Sequence, residues 1–191
     1  MRYCVFLVFF ILIAACDQKA PDAKTIAKPP PSSAAPIVKL TWKQLSGWDL
    51  PVSLATDILP EEVAAVNAAM PAELKALDGK RVKIAGFMMP CSNKDDLIDM
   101  FLLVPDQMAC CSGRTPSSHE VVAIHPSPAI PYVRDVPIEV TGIFSADTRL
   151  TTLGSGSCNL PWRLSFESLR PAPECAKDLP NPDPNFVPPQ R

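Results

Sequence analysis

The chain has 191 residues, 47% of them hydrophobic, with 23 prolines and a formal charge of −2. That length fits one domain with tails. A near-neutral balance without a basic block gives no sign of a nucleic-acid-binding face, which needs clustered Lys and Arg, and no nucleic-acid partner is expected.

The N-terminus reads MRYCVFLVFFILIAAC: Arg2, an apolar run from Val5 to Ile13, then Ala14, Ala15 and Cys16. The run is short for a bilayer span and has the length of a signal-peptide core. Its ending, IAAC, resembles a bacterial lipobox. That resemblance implies a signal peptide over 1–15, cleavage before Cys16, and lipid attachment (palmitate-type chains) to the Cys16 thiol and its new amine. Such chains hold a domain at a membrane. Asp17 follows, which favours the inner over the outer membrane. The expected location is the bacterial cell envelope, facing the periplasm. A plain secretory signal or a short anchor is the alternative. Arg2 is the one charged residue in 1–15, so its removal takes the charge from −2 to −3.

Residues 16–39, with KPPPSSAAP, read as a stiff lipidated tether. Residues 40–77 read as a helical segment packing on the domain. Trp42, Leu45 and Trp48 fit a packed lid better than an aromatic binding platform. Pro60 suits a first helical turn, Glu61 and Glu62 complement its N-terminus, and Pro71 breaks it. Val63, Val66 and Met70 share one face by their spacing.

From Asp78 the period changes to two. KRVKIAGFMMP, FLLVP (101–105), EVVAIHP (120–126), PIEVTGIFS (137–145) and WRLSFESLRP (162–171) read as five strands. Glycines inside the first and fourth allow sharp bends. The expected fold is mainly β: a small five-stranded Greek-key barrel of the oligonucleotide/oligosaccharide-binding (OB-like) kind over 78–171. An open sandwich is the alternative. Residues 172–191 read as a second proline-rich tail, extended on the surface or disordered.

The blocks LDGKRVKIAGFMMP, FLLVPDQMACC and PIEVTGIF resemble an uncharacterised family of bacterial exported proteins with a domain of unknown function. The resemblance covers about residues 40–170. That family places a histidine and prolines soon after the cysteine, whereas here Cys110 is followed by CSGRTPSSH. The resemblance implies an accessory role beside membrane transport components, some linked to metal traffic.

Cys4 leaves with the signal and Cys16 is lipidated, so five of the 7 cysteines remain: Cys91, Cys110, Cys111, Cys158 and Cys175. An oxidising compartment favours pairing, and an odd count leaves a thiol over. Alternating strand direction puts Cys91, Cys175 and His125 at one end of the barrel. Cys110, Cys111, Cys158 and His119 fall at the other. Bridge partners need close alpha carbons. The expected bridges are therefore Cys91 with Cys175, and Cys158 with Cys110 or Cys111, whereas Cys91 with Cys110 is disfavoured.

Three readings of the second group stay open. Its spare thiol is inert. Or Cys110, Cys111, Cys158 and His119 hold zinc or copper(I). Or the spare thiol exchanges with a neighbouring disulfide. His125 reads as a surface residue, and Asp95, Asp96 and Asp99 as a solvated stretch without calcium-loop spacing. The chain has no phosphate loop, nucleophile elbow or zinc-protease motif, so an enzyme is not expected. The function expected is a membrane-anchored accessory or binding module, in metal handling beside a transport system. The alternatives are a disulfide-stabilised structural or interaction domain, or a thiol redox partner.

Overall fold

The structure, a computed structural model, describes residues 36–51, 58–94, 97–107, 116–153 and 156–180. Seven strands dominate: β1 Val38–Lys39, β2 Arg81–Lys94, β3 Leu97–Val104, β4 Val122–His125, β5 Ile130–Pro131, β6 Ile138–Leu153 and β7 Gly156–Pro171. The helices are short: α1 Trp42–Ser46, α2 Pro60–Ala69 and α3 Ala72–Lys75. Two 3-10 turns, Ser118–Glu120 and Pro173–Asp178, follow β3 and β7. The mainly β class expected is the class observed.

The strands form one mixed sheet in the order β1-β2-β6-β7-β4-β3-β5, and β2 also pairs with β3. That extra pairing closes five strands into a ring. β2 lies against β6 from Arg81 to Gly86, then against β3 from Phe87 to Lys94. Gly86 is thus the corner at which one strand changes partner. A Cβ there would meet the Val104 carbonyl at 2.6 Å and the Leu103 side chain at 2.9 Å, so only glycine lets the strands approach this closely. β4 and β7 run parallel and the other ring pairs are antiparallel.

Period-two alternation builds the core. Val82, Ile84, Phe101, Leu103, Val122, Ile124, Val140, Phe144, Trp162 and Leu164 turn inward into one buried cluster. The short helices cover it. Thr41 caps α1 in a capping box with Gln44, which aims Trp42 and Leu45 into the core. Trp42 Nε1 donates to the Ala85 carbonyl at 2.6 Å. Val66, Met70 and Leu74 bury the inner face of α2 and α3, while Val63 stays partly exposed.

The edges differ from expectation in three places. Lys39 already pairs with Lys83, so folded structure begins inside the expected tether. After β7 the chain folds back: Ala172 and Leu179 are buried around the Pro173–Asp178 turn. Apolar side chains and backbone donors are available there, as in Ala172 N to Pro137 O at 2.7 Å, and proline content alone does not forbid docking. Third, the last two ring strands run past the expected bounds 137–145 and 162–171. β6 and β7 continue as a hairpin to Leu153 and Gly156, with Thr151 opposite Cys158. Arg163 pins the bulge beside it, donating to the Asp147 carbonyl at 2.6 Å, to the Asp147 carboxylate, and to the Leu160 carbonyl at 3.1 Å. From α2, Asn67 accepts from Thr148 N at 2.8 Å. Among the described residues no helix is long and apolar enough to cross a membrane.

Candidate functional site

The end of the ring where β3 leads to β4 gathers the aromatic side chains around one histidine. His119 sits in the Ser118–Glu120 turn, which Ser117 and Glu120 hold as a capping box. Behind it, Trp162 is fully buried and its Nε1 donates to the His119 carbonyl at 3.0 Å. Trp162 stacks on Phe144, centroids 5.7 Å apart. Trp48, just beyond α1, meets Trp162 edge-on and tilts over His119, both at 6.2 Å. Trp48 is itself fixed, since its Nε1 donates to the Leu45 carbonyl at 2.9 Å. Trp42, Leu45 and Trp48 therefore pack as the lid reading expected.

His119 Nδ1 is buried and has no hydrogen-bond partner. An orphaned buried polar atom costs about 1–3 kcal/mol, so it needs a reason. Burial also pushes the imidazole below its ordinary 6.5, against the opposing pull of Glu120, of a hydrogen bond at the Ser46 backbone and of Asp49. The ring is thus biased to the neutral form, the form that ligates metals.

The other expected site residues divide as follows. Cys16, Cys110, Cys111, Asp95 and Asp96 lie outside the described residues. Cys158 is a β7 position opposite Thr151. Asp99 on β3 and His125 at the end of β4 are exposed. Among the described residues no group of three or more His, Cys, Asp or Glu side chains gathers into a metal cluster.

The Cys91–Cys175 pair is corrected. Cys175 is a free thiol in the Pro173–Asp178 turn, beside Lys83, Ala85 and Glu139. Burial first, then the carboxylates of Glu174 and Glu139, push its thiol up, which makes it a poor nucleophile. Cys91 lies six positions beyond Ala85 along β2, roughly 20 Å of strand. It packs with Met89 against a different cluster. Strand parity treated Cys91 as the end of its strand, but β2 runs on to Lys94, with irregularities between Pro90 and Ser92 and between Ser92 and Lys94.

The aromatic partners of His119 had no local signal, because Trp162 lies 43 residues away and reads only as a strand residue.

A closed five-stranded ring with short helical covers defines a small, mainly β domain. The chain belongs to the DUF3299 family of proteins of unknown function, whose profile matches residues 42–165. It is similar to a crystal structure of a DUF3299 family protein from Pseudomonas aeruginosa, at 25% identity and a TM-score of 0.50, covering 72% of this chain and 97% of that one. A comparison with curated proteins gives no match. The family resemblance carried by GFMMP and FLLVP is borne out.

Proposed function

We propose that this chain is a lipid-anchored, periplasm-facing accessory module that handles a soft metal ion, zinc or copper(I), beside membrane transport components of the bacterial envelope. The observation that carries the metal reading is the buried, unpartnered and neutral-biased Nδ1 of His119. With thiolates from Cys110, Cys111 or Cys158 it would complete a sulfur-rich tetrahedral set. The lipobox resemblance and Cys16 support the anchor. We also read the ring as a Greek-key barrel of the OB kind. The ring order β2-β3-β4-β7-β6 and the parallel β4–β7 pair support that topology. The outer face of β3 and β4 is apolar and buried, which argues against an oligonucleotide ligand on it.

A second reading, a structural or interaction module without ligand chemistry, is favoured by Cys175, a free thiol that burial pushes away from the reactive thiolate. The two separate in one experiment. The chain is purified from membranes under thiol-protecting conditions and weighed by native mass spectrometry, beside His119→Ala. Metal in the wild type and at least tenfold weaker binding in the variant supports the metal site. A metal-free wild type, or equal affinity in both, overturns it. Cys16→Ala should release the chain from the membrane fraction, and unchanged retention would refute the anchor.

A further inference from the structure

We propose that the last turn of α1 holds the imidazole of His119 as its Nε2–H tautomer, with Ser46 as the acceptor and Gly47 as the positioning residue, so that Nδ1 is the atom presented to a metal ion. A helix ends in carbonyls that no helical N–H reaches, and each needs another donor. At the end of α1 side chains supply them. Trp48 Nε1 donates to the Leu45 carbonyl at 2.9 Å. The Ser46 backbone takes its hydrogen bond from the His119 ring, and Ser46 is itself held, its Oγ donating to the Trp42 carbonyl at 2.9 Å. Nδ1 has no hydrogen-bond partner, so the donor to Ser46 is Nε2–H. A neutral imidazole carries one ring proton, and the hydrogen bond that proton makes decides which nitrogen keeps it. The lone pair is then on Nδ1.

The backbone on both sides of that bond is fixed. Trp162 Nε1 donates to the His119 carbonyl at 3.0 Å, and Ser117 and Glu120 close the capping box around the turn. Trp48 tilts over the imidazole with centroids 6.2 Å apart. Between Ser46 and Trp48 lies Gly47, whose amide nitrogen belongs to the same peptide unit as the Ser46 carbonyl. A Cβ on Gly47 would run into the Lys43 carbonyl, which is backbone. Any other residue there has to displace that carbonyl and, with it, the end of α1. Glycine thus lets the chain turn sharply enough to bring Ser46 and Trp48 onto one imidazole. A histidine whose second nitrogen is tied to a carbonyl has a fixed ring orientation and a more basic free nitrogen, as a metal ligand needs. The metal is that of the reading above, whereas the tautomer holds with or without it.

The test is nuclear magnetic resonance on the full chain in detergent, with nitrogen-15 in its histidines. The chain has 2 histidines, so the exposed His125 is the internal reference and His119→Gln identifies the peaks. With a chelator present, His119 should show an Nε2–H proton that exchanges with water at least tenfold more slowly than that of His125. An Nδ1–H proton, or exchange less than tenfold slower, overturns the proposal. Gly47→Ala should bring the exchange to within threefold of His125 while unfolding stays cooperative. A folded Gly47→Ala chain with unchanged exchange overturns the positioning role, and if that variant does not fold, the wild-type spectrum decides. Zinc chloride then replaces the chelator. It should shift Nδ1 and leave the Nε2 proton in place. Loss of the Nε2 proton on zinc binding overturns the assignment of the ligating atom. No change at either nitrogen overturns the metal reading and the role given to Nδ1, and the slow Nε2–H proton separates that failure from a failure of the tautomer.

Discussion

Two outer faces of the same ring solve different problems. On one, β2 up to Gly86, β6 and the second half of β7 carry charge: Arg81 meets Glu167 at 2.5 Å, and Lys83 and Arg170 share Glu139 at 3.4 and 3.0 Å. On the other, beyond Gly86, β2 joins β3 and β4 under Met89, Met100, Leu102 and Ala123. The first face is finished as it stands, because its charges are solvated and cross-paired. The second keeps Met100, Leu102 and Ala123 out of water. A single strand serves both, and Gly86 is where it passes from one to the other.

Substitutions should reveal that asymmetry. The largest loss is expected for Leu102→Asp, which buries a carboxylate without a partner at the centre of the apolar face. It should cost about 3–5 kcal/mol, read as a lower urea midpoint. A loss under about 1 kcal/mol would show the face to be wet and the comparison false. Next is Gly86→Ala. The new methyl would meet the Val104 carbonyl at 2.6 Å, which as backbone cannot swing aside, and the Leu103 side chain at 2.9 Å. A loss of about 1–3 kcal/mol is expected from overpacking. If the variant is as stable as the wild type, the corner is looser than described.

The third prediction concerns pH at the ring's end. Unfolded, His119 takes up a proton near its ordinary 6.5; folded, burial lowers that value. The unfolded chain therefore binds more protons below 6.5, and the fold is penalised there. The neutral form's stability is fully present above pH 6.5 and is lost as pH falls through the lowered folded value. With a chelator present, the urea midpoint of the wild type should fall more between pH 7.5 and 5.5 than that of His119→Gln. Parallel profiles would mean that His119 titrates as it does in water.

The five ring strands were legible because alternation such as Val82, Ile84 against Lys83, Ala85 is a local signal. The hairpin tip was not, because Gly154, Gly156 and two serines, Ser155 and Ser157, break the period-two pattern while the register continues through Cys158. The lid of Trp42 and Leu45 could be guessed from spacing. The contact of His119 with Trp162 could not, because it depends on β4 and β7 running side by side. The cysteine grouping failed at Cys91 for a related reason. Parity assigns a residue to an end of the ring, but β2 outruns its first partner and has no end there. Sequence reports the period of a strand and leaves its choice of neighbours to tertiary packing.

The smallest effect belongs to the charged face. Arg81 and Glu167 lie on β2 and β7, on either side of β6, and their side chains are 22% and 29% exposed. Water and salt screen a pair of that kind, so Glu167→Gln should cost about 0.5–1 kcal/mol in low salt. The Debye length shrinks from about 10 Å at 0.1 M to about 3 Å at 1 M. Most of that loss should therefore vanish at 1 M salt, whereas the loss from Leu102→Asp should persist, because its carboxylate lies out of reach of the ions. A loss from Glu167→Gln that salt leaves unchanged would mean that the pair acts through geometry, holding β2 and β7 at a fixed spacing across β6. The charged face would then be as much a constraint on ring closure as the apolar one.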